Sequence, residues 1–255
     1  MITRKALMVT RHGVNQTRPD EDKNDNSLTD ASVAAMYAQA QSTLREALLG
    51  TTYEGVFLVH SGKKRTIGTA LARATGVLGY QPAPSRIEDL DQLPAILRAN
   101  MSVEPMLGFG DLVLDEEAYG KDGHDTYMAN WTRDFESGLY GTTPVTPFGA
   151  VVRSRTKHLF DSLNQLARPD SNLRLGVLAS HGGVVDALMV AGVNSGSGRR
   201  ITNLAEIGGV VPKEGFGTFH VDMRPSGRTE VNFMRDGRAY PVDMYSLFVA
   251  AGYGL

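Results

Sequence analysis

The chain has 255 residues, of which 42% are hydrophobic, so it can bury a substantial core and is neither disordered nor collagen-like. Its formal net charge of -2 excludes a general basic field for nucleic acid or anionic membrane, so an anionic partner must be captured locally. With no cysteine there can be no disulfide, thiolate nucleophile or cysteine-held metal, and no stretch approaches the roughly 20 apolar residues of a membrane span. The N-terminus lacks a secretory pattern, and the expectation is a soluble, cytoplasmic protein.

In chain order, the first element is the apolar run KALMVT, a strand ending directly at Arg11, His12 and Gly13. LTDASVAAMYAQAQSTLREALL then reads as a helix capped at Thr29 or Asp30 and closed by Gly50. A second strand, GVFLVH, leads into SGKKR, with a helix following Ser61 as N-cap and stopping at Gly76. The segment 80–123 is rich in proline and irregular, an insertion suited to serve as a lid. PFGAVVRSRTKHLFDSLNQLAR is an amphipathic helix. LRLGVLAS is the third apolar strand and runs into His181, Gly182 and Gly183, where VVDALMVAG begins a short helix. FGTFHVDM, RTEVNFM and AYPVD, separated by RPSG and RDGR, predict an antiparallel meander at the sheet edge. That edge is the surface that would pair in a homodimer.

Alternating strands and helices predict an α/β fold with a mostly parallel sheet covered on both faces. In such sheets ligands bind outside the carboxyl ends of the strands. Arg11 with His12, Ser61 with Arg65, and His181 with Gly182 all stand at such ends and can converge on one crevice. Arginines offer charge-assisted donors, imidazoles a nucleophile or base, and the helix start at Gly182 backbone N–H groups. Two histidines and two arginines around one crevice describe a phosphate site. Each motif also has a plainer reading, as a surface loop at Arg11–His12 and as a capped helix start at Ser180–His181. Arg65 opens a helix where its charge is disfavoured by the dipole, which is understandable if it points into the crevice. His60 precedes Ser61 with the alternate strand facing, His124, His158 and His220 have no partner by spacing, and Trp131 reads as a packing residue under the insertion or one lining the substrate pocket.

Taken together, RHG, the Ser61-x-x-x-Arg65-x-x-x-Thr69-Ala70 pattern and SHGG resemble the histidine phosphatase superfamily, also called phosphoglycerate mutase-like. The resemblance runs from about Lys5 to Val190. It implies one domain over 1–255 with a three-layer α/β/α sandwich and a specificity insertion at about 80–123. It further implies His12 as a phosphorylated nucleophile, Arg11, Arg65 and His181 as a phosphate clamp, and no metal or other cofactor. The family's proton donor lies in a Leu-x-Glu-x-x-aromatic-Gly pattern, which LDEEAYG matches at Glu116; Glu88 stands at the more usual distance from Arg65 without the pattern. Gly13, Asn15, Thr17, Arg18, Ser61 and Gly182 are the further substrate-binding candidates. Arg18 stands where many members have asparagine, and Glu117 replaces an arginine of the mutases, which disfavours a phosphorylated sugar acid. The expected activity is hydrolysis of small phosphate monoesters through a phosphohistidine. The alternatives are mutase-type transfer and a phosphate-binding homologue without turnover.

Overall fold

The structure, a computed structural model, describes residues 2–17, 22, 25–80, 95–196 and 200–254. Its strands are β1 (Thr3–Arg11), β2 (Asn15–Gln16), β3 (Ser27–Leu28), β4 (Val56–His60), β5 (Met101–Val103), β6 (Leu139–Tyr140), β7 (Thr143–Pro144), β8 (Leu175–Ser180), β9 (Phe216–Met223), β10 (Thr229–Arg235) and β11 (Arg238–Val242). Its helices are α1 (Asp30–Leu44), α2 (Lys64–Leu78), α3 (Ala95–Ala99), α4 (Glu116–Asp122), α5 (His124–Trp131), α6 (Phe148–Ala167), α7 (Gly182–Ser195) and α8 (Met244–Phe248).

Seven strands form one sheet in the order β11-β10-β9-β1-β8-β4-β5. β1, β8, β4 and β5 are parallel, while β9 lies antiparallel on β1 and continues into the β10–β11 meander. The parallel strands are apolar along almost their whole length because both faces are covered. One face packs Leu7, Val9 and Leu178 with the side chains of α6 and α7 into a core that also takes in Phe219 and Phe233. The other packs Ala6, Met8, Leu58 and Val177 with α1 and α2. The result is the α/β/α sandwich expected from the alternation, and no described helix is long and apolar enough to cross a membrane.

Three expectations are corrected. Part of the stretch read as irregular is regular: Met101–Val103 is the edge strand of the main sheet, and Leu58 to His60 fix its register. The helix after GVFLVH is capped by Lys63 and ends not at Gly76 but at Gly79, which has φ 74°. Gly76 lies inside the helix because α1 approaches there; a Cβ on it would run into the backbone carbonyl of Tyr37. Glycine spacing in a helix marks close packing as readily as an end. The third is Ser61, whose hydroxyl does not cap α2 but lies 3.0 Å from Thr66 Oγ1 and 3.1 Å from His181 Nε2.

Candidate active site

The carboxyl ends of β1, β4 and β8 bring the three sequence motifs together. His12 follows β1, Arg65 is in the first turn of α2, and His181 is the N-cap residue of α7. The His12 and His181 rings meet edge to face with centroids 5.1 Å apart, and Phe109 tilts over the far side of His181 at 5.2 Å. Arg11 is 1% exposed, and its Nη1 donates to the Val211 carbonyl at 2.8 Å and to Asp125 Oδ1 at 3.1 Å.

His12 Nδ1 is 2.9 Å from the carbonyl oxygen of Gly13. A carbonyl only accepts, so Nδ1 carries the proton and Nε2 keeps its lone pair. Burial holds the His12 pKa down at about 3; the bond to Gly13 opposes this, while the charges of Arg65, Arg11 and Lys213 reinforce it. His181 is likewise driven well below the usual histidine value, by burial first and then by its neighbours His12, Arg65, Lys63 and Arg11. Both rings are neutral at physiological pH. Gly13 is tied by its N–H to Thr69 Oγ1 at 3.3 Å, and no side chain fits there because Ser32 fills the space.

Arg65 is aimed by Asn26, whose Oδ1 accepts from its Nη1 at 3.3 Å while its Nδ2 donates to Thr17 at 3.3 Å. Asn15 pairs in β2 against Leu28 of β3, and Gly182 is buried at the start of α7. Arg18 and Glu88 lie outside the described residues. Glu116 is exposed at the start of α4, behind the Asp115 cap.

Several residues at the site were not singled out by motif. Val211 to Gly215 form a loop bound to the turn that carries Arg11 and His12. Arg11 N donates to Gly215 O at 2.9 Å, and Glu214 N to His12 O at 3.4 Å. Glu214, in the left-handed region at φ 63°, also accepts from Ser32 Oγ at 2.6 Å. Asp186 of α7 is wholly buried, accepts from Val211 N at 2.9 Å, and is raised to about pKa 7 chiefly by that burial. Tyr119 of α4 is close enough to feel the charges of Arg11, Arg65 and Asp125, and burial raises its pKa. His158, read as without a partner by spacing, has one, with Nδ1 3.3 Å from Glu104 Oε2, and His60 Nδ1 accepts from Gly62 N at 3.1 Å. Trp131 is buried as expected, donating to Thr146 O at 2.8 Å.

Neutral buried histidines make stability fall in acid. His12 and His60, the latter held by burial at about pKa 4, refuse protons that the unfolded chain accepts below its ordinary histidine value of about 6.5. Stability is therefore full above about pH 6.5 and declines towards pH 4 and 3, by up to about 1.4 kcal/mol per pH unit for each ring. Urea titrations at pH 7 and pH 5 should show a lower midpoint at pH 5, less so for His60→Asn. Equal midpoints in the wild type would contradict the neutral assignment.

Neither a family model nor a curated protein matches this sequence. Among solved structures, a mycobacterial protein described as hydrolase 2 is 17% identical, covers 98% of this chain and 97% of its own, and superposes with a TM-score of 0.51. A mycobacterial glucosyl-3-phosphoglycerate phosphatase is 16% identical over 89% of this chain and 97% of its own, with a TM-score of 0.46. A phytase from Klebsiella sp ASR1 is 11% identical over 99% and 96%, also at 0.46. At these identities the likeness is one of fold, and the first of the three carries it.

Proposed function

We propose that this chain, which has the fold of the histidine phosphatase superfamily, hydrolyses small phosphate monoesters through a phosphohistidine on His12. The observation that carries the reading is the Nδ1 bond to Gly13, which leaves an Nε2 lone pair beside Arg11, Arg65 and a second neutral imidazole. A phosphoryl dianion entering there meets two guanidinium groups that complement its oxygens, and a nucleophile already free of its proton.

Nε2 attacks phosphorus in line with the ester oxygen. Arg11 and Arg65 hold the equatorial oxygens, and His181 donates a hydrogen bond once the incoming charge has drawn a proton to it. A carboxylic acid at the crevice protonates the leaving alkoxide. Water then attacks the phosphohistidine, giving its proton back to the same carboxylate and releasing orthophosphate. Gly13, Asn15, Thr17, Ser61 and Gly182 are the residues we assign to substrate binding.

The test is to mix the enzyme with a 32P-labelled monoester and quench within milliseconds. Label should stay on the protein in alkali and leave it in acid, as a phosphoramidate does. Phosphate release without any trapped label at any quench time would point to direct attack by water, and label returned to substrate rather than to orthophosphate would point to a mutase.

A further inference from the structure

On this reading of the site, we infer that Asp125, not Glu116, is the carboxylic acid that protonates the leaving group. Asp125 Oδ1 lies 3.1 Å from Nη1 of the buried Arg11, while its own side chain is 72% exposed and so reaches solvent. Its charge also reaches Tyr119, which in turn feels Arg11 and Arg65. The Arg11 contact therefore sets this carboxylate beside one of the two guanidinium groups that would hold the phosphoryl oxygens.

Among the described residues, the other nearby carboxylates are committed elsewhere. Asp25 accepts from Lys64 N at 2.8 Å, and Glu214 holds Ser32. Glu104 is engaged by His158 and by Met106 N, and Asp111 takes a bidentate hold on Arg155 at 2.6 and 2.9 Å. Asp186 lies below the site, on Val211 N. Asp115 caps α4 through Ala118 N, which turns Glu116 outward onto the exposed first turn.

The chemistry follows from what occupies Arg11. Without substrate its guanidinium holds the Asp125 carboxylate. When a phosphoryl oxygen takes that donor, Asp125 is left beside a dianion, and like charge makes it take up a proton. As Nε2 of His12 bonds to phosphorus and the ester P–O bond breaks, that proton passes to the departing oxygen, giving a neutral alcohol. The resulting carboxylate then takes a proton from the attacking water as the N–P bond breaks.

The experiment compares Asp125→Asn, Asp125→Glu and Glu116→Gln on two esters, glycerol 2-phosphate and p-nitrophenyl phosphate. An alkoxide needs the proton and a nitrophenolate leaves without it, so only a proton donor gives a leaving-group-dependent loss. Asp125→Asn should lose 100-fold or more in kcat on the glycerol ester, within the 10²–10⁴ range of general acid catalysis, and under about 10-fold on the aryl ester. Asp125→Glu should recover part of the glycerol activity, and Glu116→Gln should match wild type within about 3-fold on both. The proposal is overturned if Glu116→Gln shows the selective loss, or if Asp125→Asn falls equally on both esters. Wild type inert on both esters would sink the phosphatase reading itself, and this proposal with it.

Discussion

Replacing His12 by alanine is expected to lower phosphate release from any monoester by on the order of 10⁵-fold and to abolish the acid-labile label altogether. The size follows from the proposed role: His12 presents its Nε2 lone pair while Nδ1 is held by Gly13 O, whereas the neighbouring His181 Nε2 is already 3.1 Å from Ser61 Oγ. Binding should survive, because Arg11 is fixed by Val211 and Arg65 by Asn26, neither through the imidazole. The variant should therefore still bind orthovanadate, a combination that separates a lost nucleophile from a lost fold. Undiminished turnover in His12→Ala would remove the phosphohistidine from the mechanism.

Arg73→Met is expected to cause the largest loss of stability of any conservative-sized change near the site. Arg73 is fully buried on α2, yet its guanidinium donates to Met36 O at 3.0 Å, Gln39 Oε1 at 2.9 Å, Thr10 Oγ1 at 3.3 Å and the Glu214 carbonyl, and it stacks 4.5 Å over Phe216. Burial draws its pKa to about 9, so it stays charged at neutral pH. Methionine fills the volume but orphans two buried carbonyls and a glutamine, and breaking such a network costs about 3–5 kcal/mol. For a chain of this size that is a fall in Tm of roughly 6–20 °C by calorimetry. Activity below the new Tm should also drop, because Glu214 is bonded to His12 O. A Tm within 2 °C of wild type would show that the network carries no weight.

The site motifs were legible because each is local: an apolar strand followed at once by arginine, histidine or serine is a short-range pattern. The meander was legible for the same reason, its turns being written in RPSG and RDGR. What the sequence hid is the part assembled across distance. The Val211–Gly215 loop reaches His12 only through the β1–β9 pairing, which joins Met8 to Thr218. Two faint signals existed: Asp186 is an acid in the otherwise apolar VVDALMVAG, and Arg73 is a cation in a helix whose body is buried. A lone charge on a buried helix demands a partner, and here both partners are that loop. Asp125 carries no such signal, since exposed carboxylates are ordinary. Only its distance from Arg11 distinguishes it.

The pairing of β1 has a consequence for biosynthesis. β1 is made well before β8 and β9, the strands it pairs with, and the turn after it is closed by Gly215. Contacts of such sequence separation form late and slowly. During translation His12 thus waits on an unpaired strand. A product terminated before Phe216 is accordingly not a slow enzyme; it exposes an open apolar strand edge, of the kind that draws chaperones or aggregates.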